Sequence, residues 1–275
     1  MINFKSIPNR SVLARIFYGV AIISILYRYS SHMLLSQLEN PVLTFVNTDI
    51  TYISLSLSGL AGFLTQHHTI GIAFDLCFFL SAVLAFLFPN RRCFPVLFTI
   101  LLGIYEVTGY TYLCFHKHNL TGFWICSLMF WVVDQRGFTP LFNLTRYYCL
   151  FVYASAGFWK FYRGVWNLKG HFPVILKNDA MAYMVEHSTG FRAQLISWLV
   201  IHPIILDEIM LLTCFMQFSF LIGFFTRRID WLFFLYAVSF HMLSYYLVYA
   251  SFFEFSAILI TLLPLALLYK KPVYL

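Results

Sequence analysis

The sequence predicts an all-α integral membrane protein, a polytopic bundle of about eight transmembrane helices with short re-entrant or interfacial helices between them. Three observations carry that expectation. The chain is 61% hydrophobic and only 11% charged, against about 45–50% and about 25% in soluble domains. Its apolar residues fall in runs near the length needed to cross a bilayer. Basic pairs such as Arg91-Arg92, Arg227-Arg228 and Lys270-Lys271 stand between the runs, where charged residues mark topology. No polar stretch is long enough for a separate soluble domain, so residues 1–275 are expected to form one domain.

Taken in order, a basic lead with Lys5, Arg10 and Arg15 precedes the apolar run Ile16–Tyr27. No small-residue cleavage site follows, so a retained first span is expected rather than a removed signal. The more polar Ser30–Asp49, with Glu39-Asn40-Pro41, is expected outside the hydrocarbon. Thr51–Leu64 carries serines and glycines and is short for a span, which suits an interfacial or re-entrant helix. Ile70–Phe88 and Cys93–Phe115 read as full spans, and Thr121–Val133 as a thin or tilted one in a tryptophan belt. The span from Arg146 to Tyr162 follows. Arg163–Pro203 is the longest mixed stretch, with short surface helices expected over Ala180–Val185 and Phe191–Val200. Ile204–Phe225, Trp231–Ala250 and Phe252–Tyr269 complete the set.

The excess of 18 Lys+Arg over 11 Asp+Glu does not point to nucleic acid, because the basic residues lie between apolar runs rather than along one face. The partner they imply is the lipid bilayer. With the N terminus in the cytoplasm, eleven of them fall in cytoplasmic segments and six outside, and both termini are then cytoplasmic. The six cysteines lie in or beside apolar runs without C-x-x-C spacing, so buried thiols are expected and disulfides are not. No histidine pattern suited to zinc occurs, and no metal is expected.

Ionisable residues within spans carry the chemistry. Lys160 ends the run Tyr147–Lys160, where its stem either snorkels to the headgroups or holds a partly desolvated amine, a form that can act as a base. Asp75, Asp207 and Glu254 fall toward the outer ends of their spans, and Glu106 and His241 nearer mid-depth. Acids at such positions face a bundle interior or a watered cavity and find partners there. The cations expected at that depth are Lys160 and a protonated His241. An outward-facing polar cavity lined by these residues follows, with Tyr245 one turn from His241 as a hydrogen-bond partner. On these residues alone, a satisfied core histidine is the reading slightly favoured for His241 over a catalytic one.

The run Ala156-Gly157-x-x-Lys160 with Trp166 and Gly170, then Arg227-Arg228-x-x-Trp231 with Phe240-His241 on the next helix, and His118-Asn119 before an apolar run, stand in a familiar order. Over about Thr111 to Leu263 the chain resembles the membrane domain of the vitamin K-dependent gamma-carboxylases, also called the HTTM domain. The resemblance implies a Lys160 base that deprotonates a reduced quinone of the vitamin K hydroquinone kind, with His241 in support and His118 at a third functional position. Trp166 would join the cavity lining. A membrane-presented peptide or protein is the implied substrate. The interval from Lys160 to Trp166 holds one residue more than in the carboxylases, and no extracytoplasmic domain is expected after the last span. Glutamate carboxylation itself is therefore not implied. A second class stays open, a non-catalytic accessory protein in the maturation or export of, or immunity to, a secreted peptide toxin, working with a partner membrane protein.

Overall fold

The computed structural model describes residues 9–38, 54, 57–113, 120–167, 171–248 and 255–263. Among them there is no strand and every regular element is a helix, compatible with the all-α class expected. The α-helices are α1 (Arg10–Ser30), α2 (Leu60–Gln66), α3 (His68–Leu87), α4 (Cys93–Leu113), α5 (Thr121–Leu128), α6 (Gln135–Tyr162), α7 (His171–Glu186), α8 (Phe191–Ile201), α9 (Pro203–Phe218) and α10 (Asp230–Val248). 3₁₀ segments extend several of them, including the single turn Met129–Trp131 after α5 and the six-residue Ser219–Phe224 after α9.

Among the described residues, four segments are long and apolar enough to cross a membrane: Arg10–Gln37, His68–Leu87, Pro203–Phe224 and Asp230–Val248. The thin span expected over Thr121–Val133 is an eight-residue helix with one 3₁₀ turn, Thr121–Trp131. At about 1.5–2 Å rise per residue it is shorter than a hydrocarbon core of about 30 Å, so a crossing here requires the bilayer to thin around it. Helix α6 has length to spare at 28 residues, but its tyrosines, Arg146 and Lys160 keep it less apolar than the four. It begins well before the expected Arg146 because Asp134 accepts the Gly137 N–H at 2.6 Å, capping the first turn. Pro140 follows inside the helix at the cost of one backbone bond. The short surface helices expected near 180 and 191 are the longer α7 and α8.

The chain folds as two compact units, whose described residues are 9–145 with 255–260 and 146–248 with 261–263. In the first, α1 and α4 both pack on α3, and α5 packs on α4. Its core is aromatic. Phe78 stacks on Phe98 and on Tyr105, and Phe98 meets Tyr18 edge-on at 5.3 Å. Arg10, only 2% exposed, donates through Nη1 to Pro89 O and through Nη2 to Phe130 O, both at 2.8 Å. It thus ties the start of α1 to the chain after α3 and after α5.

Tyr18 lies in this core with its hydroxyl buried and without a hydrogen-bond partner among the described residues. A buried hydroxyl left unpaired costs about 1–3 kcal/mol. Tyr18→Phe, which keeps the ring and its edge contacts, should therefore leave thermal stability in detergent unchanged or raise it by about 1 kcal/mol. A loss of stability would mean the hydroxyl has a partner.

In the second unit α7 packs on α8 and α9, and α10 packs on α7. Phe172, Leu176, Ala180, Ile196, Leu199 and Leu206 form its apolar core. Arg192 lies over the Tyr183 ring at 4.0 Å and the Tyr246 ring at 5.4 Å, a cation held between two π faces.

Three basic residues counted as topology signals are instead packed inside. Arg10, Arg28 and Arg146 are each no more than 2% exposed. Setting them aside leaves the excess of basic residues in the segments expected to be cytoplasmic in the same direction. The cysteine expectation is half right: Cys126, Cys149 and Cys214 are buried, whereas Cys77 and Cys93 lie on outer faces. Cys114 lies outside the described residues.

Candidate functional site

One stripe of α6 carries the polar residues of the second unit. Arg146, Cys149, Tyr153, Gly157 and Lys160 recur at spacings of three and four, the period that brings side chains onto one helix face. At one end Arg146 is clamped by Asp230, Nε to Oδ2 at 2.8 Å and Nη2 to Oδ1 at 2.7 Å. Its Nη2 also donates to Gly223 O at 2.8 Å and Thr226 O at 3.1 Å, so the buried guanidinium has both charge and hydrogen bonds satisfied.

In the middle of the stripe Tyr153 is 3% exposed and stacks on Phe220 with centroids 4.6 Å apart. Phe220 stacks in turn on Phe233 of α10 at 4.4 Å. The Tyr153 hydroxyl and His241 Nε2 share a hydrogen bond of 2.5 Å. When the phenol is the donor, the imidazole is neutral with its proton on Nδ1. Tyr153 is thus a partner of His241 that the sequence reading missed, while Tyr245 is 47% exposed.

At the far end Lys160 Nζ donates to Gln217 Oε1 at 2.7 Å. The Phe240 ring, next to His241 in sequence, lies with its centroid 5.8 Å from the same nitrogen. Gly157 lets α6 and α9 come this close. A β-carbon there would lie 2.7 Å from Phe218 N and 2.9 Å from Cys214 O, both backbone atoms that cannot rotate away. Any side chain at 157 would push the two helices apart.

The remaining expected site residues are distributed between the units. In the first, both Asp75 oxygens are spent on backbone N–H groups, Oδ1 on Leu35 at 3.2 Å and Oδ2 on Ser36 at 2.8 Å. Glu106 Oε1 accepts the Thr121 hydroxyl at 2.6 Å. Within its own unit the charge of Arg28 reaches Glu106, a cation that the sequence reading did not name as its partner. Arg28, expected in an outer loop, is buried instead and donates to the Tyr105 hydroxyl at 3.1 Å. In the second unit Asp207 is half-buried early in α9. Trp166 belongs to the 3₁₀ turn Val165–Asn167, though its side chain lies outside what is described. His118 and Glu254 also lie outside the described residues. Among the described residues no group of histidine, cysteine and acidic side chains converges as a metal site would.

Fold and site together define a class: a helical protein in which, among the described residues, four helices are long and apolar enough to cross a membrane, which supports membrane association. No family model, curated protein or solved structure matches the chain.

Proposed function

We propose that this is a multi-pass integral membrane protein of the carboxylase-like HTTM kind, with about eight spans, both termini in the cytoplasm and a polar cavity open to the outside. In it Lys160 takes a proton from a reduced quinone and His241, set by Tyr153, supports the transfer. The observation that carries this reading is the partner of Lys160. The amine rests on an uncharged carbonyl, so among the described residues its hydrogen-bond partner is not a counter-ion that would commit it to the ammonium form, and a base must be able to exist as the free amine. A reduced quinone supplies an acidic phenolic O–H and an apolar ring suited to an aromatic, helix-lined site. Two experiments test the proposal. Reporters fused after Arg92, Arg228 and Lys271 should read cytoplasmic, and those within His116–Thr121 or Lys169–Lys177 external; a protected Lys169–Lys177 loop sinks the span order. Lipid extracts of purified wild type should contain a quinone that is depleted in Lys160→Ala extracts. Equal quinone in both removes Lys160 from its binding.

One observation favours a second reading. Lys160 and Gln217 stand one turn from the backbone contact at Gly157, and an interhelical hydrogen bond beside a small residue is also how membrane helices are fastened together. On that reading the protein is a non-catalytic accessory factor for a secreted peptide toxin, and the lysine holds α6 to α9.

A further inference from the structure

We propose that Gln217 is a positioning residue whose uncharged carbonyl aims the Lys160 amine and sets how readily it exchanges a proton. The inference deepens, and rests on, the reading of Lys160 as a base. Gln217 is 3% exposed, and a buried carboxamide is costly unless bonded. Its Oε1 meets Lys160 Nζ at 2.7 Å. Glutamate has the same length and reach, but its carboxylate would form a charge-assisted pair that holds the ammonium. The carboxamide accepts one N–H with the same directionality and no net charge. The amine is thereby oriented while its proton is held far less firmly than a carboxylate would hold it.

The surrounding packing fixes this geometry. Gly157 precedes Lys160 by three residues and Cys214 precedes Gln217 by three, and Gly157 lies against the Cys214 carbonyl. Each helix thus presents its polar side chain one turn from the point where the backbones touch. The Phe240 ring lies close to the same amine, and an aromatic face accommodates a cation without taking a hydrogen bond from it. Among the described residues, Gln217 is the hydrogen-bond partner recorded for the Lys160 amine.

The test reads the amine itself, in the full chain held in nanodiscs. Reductive methylation with formaldehyde and cyanoborohydride modifies only the free-base form, and the peptide carrying Lys160 is quantified by mass spectrometry at pH 8. Gln217→Glu should lower labelling of Lys160 about tenfold, the effect of one pKa unit on the free-amine fraction. Gln217→Met removes an acceptor that favours the ammonium and should raise labelling about threefold or more. A residue that only fills space would move both variants the same way. Labelling unchanged in both variants, or shifted in one common direction, overturns the proposal; should one variant fail to assemble, the sign of the other decides. The assay does not depend on turnover. An active Lys160→Arg protein would end the base reading and leave the Gln217 result standing.

Discussion

Lys160→Arg should abolish quinone-dependent activity while leaving the protein as stable as wild type. Arginine keeps a cation of sufficient length to reach the Gln217 carbonyl, so the hydrogen bond from α6 to α9 survives. What is lost is the ability to exist as a free base near neutral pH. A positioned general base contributes about 10²–10⁴-fold to rate, and a loss of that size in the oxidation of an added reduced quinone by dissolved oxygen, catalysed by reconstituted protein, is the expected result. Lys160→Ala should lose activity equally and stability slightly. In wild type the rate should rise with pH, because only the deprotonated amine accepts a proton. If Lys160→Arg instead matches wild type in activity, the lysine serves as a fastening and the accessory-protein reading takes over.

Asp230→Ala should be the most destabilising single change in the second unit. Arg146 is 2% exposed and its partner Asp230 13%, so the substitution leaves a buried guanidinium with hydrogen bonds to Gly223 O and Thr226 O but no counter-charge. Breaking one side of such a pair costs about 3–5 kcal/mol, whereas replacing both partners with apolar residues is often close to neutral. Thermal unfolding in detergent should therefore place Asp230→Ala well below the double variant Arg146→Met with Asp230→Leu. A double variant as unstable as the single one would show that the bonds to the two carbonyls, rather than the charge, hold the end of α9 and the start of α10 to α6.

The role of Arg146 shows where sequence reading stops. Between apolar runs it counted as a cytoplasmic loop charge, which is the usual meaning of a basic residue there. Its partner is 84 residues away, and nothing local marks Asp230 as that partner. Gln217 left a clearer trace. An amide inside the apolar run Ile204–Phe225 asks for a partner as surely as an intramembrane acid does, and attention to charged residues alone passed it over. Tyr153 left none, since a tyrosine in an aromatic-rich membrane helix looks like any other.

By itself the sequence determined the helical class and the position of the long apolar helices. Apolar runs and the charges between them are local properties, so α3 emerges at His68–Leu87 where Ile70–Phe88 was expected, and α10 at Asp230–Val248 where Trp231–Ala250 was expected. It also singled out Lys160, because a charge at the end of an apolar run needs a reason in any fold. Only the tertiary structure decided partners: Gln217 for Lys160 across 57 residues and Tyr153 for His241 across 88. The physical reason is that a helix apolar on nearly every side has no single face that must turn inward. Its neighbours are then chosen by close fit and a few polar bonds, such as the backbone contact at Gly157, and these come into being only when distant helices meet.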